Sequence, residues 1–354
     1  MIHKEALKSI SFAAAVEGLT DTTTVRAQAD TQQDTETKLG FEDYATPWNP
    51  PDPSVPGRQN IERVSEDYFL PSRFEGKTVV VTGCARGLGA VTARRLAREG
   101  ANVVGVDILK ETGAKTIDSI VKEGGRATFV AGDIAEDKTC AEMVRVAVET
   151  YGGLDAAINN AGVVDALFPE EKIDFANQRD RLLAPLHEAG DEYWHRVMAV
   201  NATGVFYSMR HELRQFMKQN RGGAIVNVSS VAGIIGFGST CSYVASKHAV
   251  QGLTKTAAID YAPYGIRVNS VGMHVMNTTM LERSIETLSQ RRKTDFVDTG
   301  LGLYKSQSLL QFCDQKKTGS TPAEQAAIML FLISPEASNI TGATYATDGG
   351  FTCF

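Results

Sequence analysis

The sequence predicts an α/β fold: a doubly wound parallel sheet of about seven strands with helices on both faces, plus an N-terminal extension. Three observations predict it. From residue 77 onward, short apolar and β-branched runs alternate with helical runs, the order that a parallel sheet requires. The first such run ends in a glycine turn and continues as an amphipathic helical stretch to Glu99. Near the C-terminus, Thr321-Pro322-Ala323-Glu324 reads as a helix start, with an N-cap threonine, proline at the first helical position and glutamate as capping partner.

In order, strands are read at 77–82, 102–107, 127–131, 154–159, 223–229, 266–271 and 343–347, with helices between them. Between the first strand and its helix lies Thr82-Gly83-Cys84-Ala85-Arg86-Gly87-Leu88-Gly89. A glycine turn set between strand and helix points to a dinucleotide site. Glycines admit a pyrophosphate close to the backbone, and the helix N-terminus offers unpaired N–H groups and a positive dipole end. The second strand ends in Asp107, about 20 residues past the glycines, where a carboxylate can hold a ribose 2′-hydroxyl. The plainer reading of Asp107 is a cap for the next helix.

Tyr243-Val244-Ala245-Ser246-Lys247 lies in an alanine-rich, helix-favouring stretch, with Ser230 upstream. Residues four apart share a helix face, so phenol and ammonium converge. A phenol keeps its proton up to a pKa of roughly 10. A neighbouring cation stabilises the phenolate and is expected to lower that value. A tyrosine so tuned gives or takes a proton near neutral pH, as alcohol–ketone interconversion requires. Ser230 is a second donor to the same oxygen. The plainer readings are a strand-end turn for Ser230 and a helix-interior polar contact for Asn201.

The glycine spacing TGxxxGxG, then Asn159-Asn160-Ala161-Gly162, Asn201, Ser230, the YxxxK pentapeptide and Asp348-Gly349-Gly350 follow in this order. The set resembles the short-chain dehydrogenase/reductase family from Phe74 to the C-terminus. The resemblance implies one Rossmann-like catalytic domain over 74–354 and an extension over 1–73. It implies Tyr243 as general acid/base, and Lys247 as the lysine that lowers the tyrosine pKa and binds the nicotinamide ribose. Ser230, rather than Ser229, would hydrogen-bond the reacting oxygen, and Asn201 would hold a proton-relay water. For the cofactor it implies Gly83, Arg86, Gly87, Leu88 and Gly89 at the pyrophosphate loop and Asp133 with Ile134 at the adenine. Asn160, Ala161 and Gly162 would flank the adenine ribose, and Thr278 would meet the carboxamide. A homo-oligomer, tetramer or dimer, is implied as well, with the helices of Asn201 and Tyr243 at its interface.

Cofactor choice carries one conflict. Asp107 repels a 2′-phosphate, and Ile108 and Leu109 offer no cation to receive one, which favours NAD(H). Arg86 in the glycine loop is the opposing signal for NADP(H). A net charge of −6 gives no basic signature for nucleic acid, and no apolar run approaches a membrane span. Five cysteines without CxxC spacing and six histidines without a cluster imply no metal and suit reduced thiols in a cytoplasm.

Residues 21–37 are rich in Thr, Gln and Asp and read as a disordered linker. Pro47, Pro50, Pro51, Pro53 and Pro56 make a stiff arm. The apolar run at 9–16 is too short for a signal core and reads as a short helix or a disordered end. Two departures from the family pattern bear on substrate. The stretch 163–192 is longer than the family minimum and suggests a flap or a subunit contact. Met273-His274 stands where the family usually has Pro-Gly, and His274 reads as a loop residue near the cofactor that does no chemistry. The lid-like segment 273–318 is apolar enough to wall a bulky substrate.

The expected function is NAD(H)-linked interconversion of a secondary alcohol and a ketone on a bulky ring substrate, of hydroxysteroid, bile-acid or polycyclic phenolic type. The alternatives are an NADPH-dependent 3-oxoacyl-thioester or other carbonyl reductase, and a non-catalytic nucleotide-binding scaffold.

Overall fold

The computed structural model describes residues 63–291 and 319–353. The proline arm, the linker, Cys313 and the lid segment beyond Arg291 lie outside the described residues. The elements run β1 (Thr78–Thr82), α1 (Gly87–Arg98), β2 (Asn102–Asp107), α2 (Lys110–Lys122), β3 (Arg126–Ala131), α3 (Asp137–Tyr151) and β4 (Ala156–Asn159). Then come α4 (Asp191–Met198), α5 (Gly204–Gln219), β5 (Gly223–Val228), α6 (Cys241–Tyr261), β6 (Ile266–Met273), α7 (Thr279–Arg291), α8 (Pro322–Ile333) and β7 (Thr344–Thr347).

The strands form one parallel sheet in the order β3-β2-β1-β4-β5-β6-β7. A parallel sheet is covered on both faces, so its central strands are apolar throughout. β1 shows this: Val79 and Val81 face a layer containing Leu96, Ile117, Met329 and Leu330, while Val80 faces one containing Met143, Met209, Leu213 and Phe216. Side chains alternate along a strand, so one valine run serves both layers. Strand order reverses between β1 and β4, and this opens the crevice at the carboxyl ends of the strands.

The last helix starts as its sequence requires. Glu324 N donates to Thr321 Oγ1 at 3.2 Å and Thr321 N to Glu324 Oε2 at 2.7 Å, closing the capping box. Just before it, Ser320 bridges Met276 in parallel, so the lid-like segment leaves and rejoins the body side by side.

Residues 63–73 of the extension lie against the body rather than apart from it. The fully buried Glu99 at the end of α1 accepts Arg73 Nε at 2.6 Å, Arg95 Nε at 2.9 Å and Leu70 N at 3.1 Å. Arg95 lies over Tyr68 and Arg98 over Phe69, at 5.0 and 4.3 Å from the ring centres. A buried carboxylate needs such partners to be tolerated. At its other end, Arg63 donates to Gly319 O at 3.0 Å.

A second buried acid is less well served. Glu212 on α5 is fully buried beneath β4 and β5, with Asn159 Nδ2 donating to its Oε2 at 3.1 Å. Burial pushes its carboxyl from 4.5 up to about 8. Between these values the folded protein holds a proton that the unfolded chain has released, so stability falls as pH rises through this window. Replacing Glu212 by Gln removes the titration and keeps an acceptor for Asn159. We expect Glu212→Gln to melt several degrees above wild type at pH 8 and to lose that advantage near pH 5. Melting curves at the two pH values check this, and parallel curves for the two proteins would refute it.

Candidate active site

The glycine turn is shaped by its close neighbours. Gly83 has φ of +71°, and a Cβ there would lie 2.8 Å from Asn160 Nδ2. A Cβ on Gly89 would overlap the Gly83 carbonyl, so neither position admits a side chain. α1 begins at Gly87 with no side-chain cap and no acid in its first turn. Its N–H groups and positive dipole end are left to the crevice. The Leu88 side chain is buried in the core, so this residue can serve a phosphate only through its backbone.

Asp107 does two local jobs. Its Oδ1 accepts Leu109 N at 2.9 Å, closing a local turn ahead of α2, whose N-cap is Leu109 and which has no side-chain cap, and its Oδ2 accepts Ala85 N of the glycine turn at 2.8 Å. Burial pushes its carboxyl above the usual range, opposed by these N–H groups and by Arg86. Arg86 is exposed. Each Asp107 oxygen keeps a second acceptor site for a ribose hydroxyl.

The turn after β4 is fastened to β1. Asn160 N and Ala161 N both donate to Thr82 Oγ1 at 3.0 Å, and Asn160 Nδ2 donates to Thr82 O at 2.9 Å. The Asn160 side chain therefore faces the glycine turn. Asp133 accepts Ala135 N at 2.9 Å and Arg196 from α4 at 2.7 Å. The Ile134 side chain is buried in the core, leaving its backbone for the crevice.

Ser230, Tyr243, Lys247 and Asn201 come together from β5, α6 and the start of α5. Ser230 caps a short 3-10 turn (Val231–Gly233), accepting Ala232 N at 3.1 Å and donating to Met273 O at 3.3 Å, and its hydroxyl lies near enough to the Tyr243 phenol to lower its pKa. Ser229 instead donates to Lys247 O at 3.1 Å, away from the phenol. Lys247 is buried, donates to Val228 O at 2.9 Å and lies 5.6 Å from the Tyr243 ring centre. A Cβ on Gly162 would lie 3.2 Å from Asn201 Oδ1 and 3.5 Å from Lys247 Nζ, so this turn is a close neighbour of both the amide and the ammonium. Asn201 lies in a π-turn (Ala199–Thr203) that joins α4 to α5, a local irregularity that the sequence does not announce. Its Oδ1 accepts Val163 N and its Nδ2 donates to Val163 O, both at 2.8 Å, with Ser246 Oγ at 3.1 Å. The amide is thus committed to fixing the turn beside Lys247.

The electrostatics differ from the sequence expectation. Burial raises the Tyr243 phenol above its usual range, and the Ser230 hydrogen bond only partly opposes it. Burial also lowers the Lys247 ammonium to about 8. In the protein alone, desolvation of the phenol outweighs any help from the lysine.

Thr278 lies beside the glycine turn, its methyl 3.5 Å from where a Gly87 Cβ would be. His274 stacks on Phe351 at 4.0 Å, and Phe351 stacks on Phe237. Burial lowers the His274 pKa, so the ring is neutral at neutral pH and packs as a flat surface. Cys84 is fully buried against Gly105, and burial pushes its thiol far above the reactive range. The long stretch after the turn packs onto the tyrosine: Ala166 and Leu183 cluster with Tyr193 and Val197 of α4 against Cys241 and Tyr243. Tyr193 and Arg196 were not singled out from sequence. An aromatic and an arginine in a helix carry no signal until their neighbours are known.

Comparison with known proteins agrees with this geometry. The family model described as short chain dehydrogenase matches residues 77–289. A 3β-hydroxysteroid dehydrogenase of Mediterraneibacter gnavus is 36% identical over 81% of this chain and 98% of its own. A cyclohexanol dehydrogenase of an Acinetobacter species is 34% identical over 81% of this chain and 99% of its own. The crystal structure of carveol dehydrogenase from Mycobacterium avium in complex with NAD superposes with a TM-score of 0.67 at 26% identity, covering 80% of this chain and 100% of that one. The chain belongs to the short chain dehydrogenase family.

Proposed function

We propose that the protein is an NAD(H)-dependent oxidoreductase that interconverts a secondary alcohol and a ketone on a bulky, mostly apolar ring substrate. The observation that carries this is the convergence of Ser230, Tyr243 and Lys247 at the strand ends beside a glycine turn that a Cβ would fill. Bound NAD would take the hydride from the carbinol carbon, or return it from the reduced form. The rest falls to the chain. In oxidation, the Tyr243 phenolate removes the hydroxyl proton; in reduction, the phenol returns it to the developing alkoxide. Ser230 donates to the same oxygen, and Lys247 favours the phenolate and holds the nicotinamide ribose. Asn201 acts as a positioning residue for Lys247.

On the cofactor side, Asp107 holds the adenosine ribose, the glycine turn takes the pyrophosphate, Asp133 meets the adenine and Thr278 the carboxamide. The exposed Arg86 beside Asp107 is the one feature that favours a phosphorylated cofactor. Hydroxysteroid, bile-acid and polycyclic phenolic alcohols are the substrate types proposed. The named activities of the two relatives, on a steroid and on a cyclohexanol, support a ring alcohol. We further propose a catalytic domain from Phe74 onward and a homo-oligomer, tetramer or dimer, in the cytoplasm. Exposed Phe206 on α5 and Ile259 on α6 support the assembly, and the free thiols of Cys84, Cys140, Cys241 and Cys353 support the compartment.

Three outcomes test the reading. Tyr243→Phe should lower kcat by about 10²–10⁴-fold while NAD binding persists. Near-normal turnover of a ring alcohol, followed by absorbance of the reduced nicotinamide, would remove the mechanism. Because burial raises the phenol, the rate of alcohol oxidation should climb with pH on the alkaline side. Ser230→Ala removes the opposing hydrogen bond and should move that rise to still higher pH; an unshifted profile counts against the pairing. Asp107→Asn should shift the NADP/NAD ratio of kcat/KM by about tenfold or more toward NADP, since a repelling charge is lost. An unchanged ratio would show that Asp107 serves the loop alone.

A further inference from the structure

We propose that Arg283 and Asp165 form a clasp joining helix α7 to the insertion after the β4 turn, and that the joined pair is the wall against which the ring substrate is held. The proposal rests on the alcohol–ketone reading of the site. It concerns residues that neither touch the reacting atoms nor belong to the family motifs.

The geometry begins with a buried charge. Asp165 is 4% exposed and three residues past Gly162. One oxygen accepts Leu167 N at 2.9 Å, and the other accepts Arg283 Nε at 3.0 Å. Arg283 also donates to Glu171 O at 3.2 Å and Phe168 O at 3.4 Å, so one guanidinium gathers three points of the insertion. Two turns along the same helix, Gln290 repeats the pattern: Phe175 N donates to its Oε1 and its Nε2 donates to Ile173 O, both at 3.0 Å. Residues seven apart lie on one helix face, so α7 lies along the insertion by that face.

The insertion is tied in turn to the catalytic tyrosine. Arg181 hydrogen-bonds Glu171 at 2.8 Å and forms an ion pair with Glu192 of α4 at 2.9 Å. Tyr193, the next residue, packs with Ala166 and Leu183 against Tyr243. The other end of α7 starts beside the glycine turn, where Thr278 faces Gly87. The clasped pair thus runs from the pyrophosphate side to the tyrosine side of one crevice. Phe168 and Met280 remain 46% and 38% exposed, leaving apolar surface on both members. A wall that is mostly apolar and held rigid by few polar contacts suits a bulky ring. Its contacts are distant from the hydride and proton steps, so its loss should affect substrate affinity before turnover.

The test uses the full chain as Arg283→Met, Asp165→Asn and the double variant, with Arg283→Lys as the conservative control. With a ring alcohol that wild type oxidises, each single variant should raise KM by about tenfold, with kcat within about threefold and the KM for NAD unchanged. The double variant should be no worse than either single one, as expected of two residues that act as a pair. Arg283→Lys should recover part of the loss. Hydrogen exchange supplies a readout independent of substrate: amides of α7 and of 165–175 should exchange faster in Arg283→Met, while those of α6 stay protected. Unchanged exchange would overturn the clasp. Faster exchange with an unchanged alcohol KM would overturn the wall. If wild type oxidised no alcohol in the panel while binding NAD, the alcohol reading and the wall would fall together, and exchange would still decide the clasp.

Discussion

The site is organised around a buried ammonium. Lys247 sits where water is scarce, and a charge in such a place is tolerated only if oxygen surrounds it. The Val228 carbonyl takes one of its three donors, and the turn at Gly162 lies close to the ammonium. The surroundings follow from this need. Val228 must end its strand at the lysine, so β5 and α6 are fixed relative to each other. Asn201 grips Val163 on both backbone groups and holds the turn in place. The π-turn is the device that brings Asn201 round to that position within an otherwise continuous helix. The burial that lowers the lysine to about 8 also raises the phenol, so the two proton affinities are driven apart: the phenol holds its proton more tightly and the ammonium less.

The cofactor side shows the same economy of contacts. Asp107 was read from sequence either as a ribose ligand or as a helix cap, as though these excluded each other. The structure gives α2 no side-chain cap: one Asp107 oxygen closes the turn to Leu109 and the other holds the glycine turn. Both bonds are accepted from backbone N–H groups, and a carboxylate can accept further bonds. The carboxylate therefore orders the turn and keeps acceptor sites free. A residue with two local partners is also hard to replace without disturbing the loop.

Much of the fold was legible because its signals are local. Strand limits read from β-branched runs agree with the structure to within two residues, and the capping box at Thr321 is where the spacing puts it. Ser230 was preferred to Ser229; the Ser229 hydroxyl is committed to Lys247 O, and Ser230 is the one that lowers the pKa of the Tyr243 phenol. What could not be read depends on distant partners. The direction of the Tyr243 shift depends on how deeply α6 is buried, which no pentapeptide encodes. Leu88 and Ile134 look like site residues by position, yet their side chains belong to the core because each lies on the inward face of its element. Asp165 and Arg283 are 118 positions apart, and nothing in either segment names the other.

These distant contacts divide the molecule by purpose. The sheet, the glycine turn and the YxxxK pentapeptide follow from short-range rules. The clasp and the aromatic stack of His274, Phe351 and Phe237 join segments far apart in the chain, and both lie around the rim of the crevice. His274 replaces an expected Pro-Gly and contributes a neutral ring rather than a base, so the departure alters shape without adding a titrating group. The strap at 63–73 works from the outside. It ties the end of α1, through buried Glu99, toward Gly319, where the lid-like segment rejoins the body. Because the two ends of that segment are bridged at Met276 and Ser320, fixing one end fixes the other. The rim is therefore anchored from outside the crevice by the strap and from inside by Arg283.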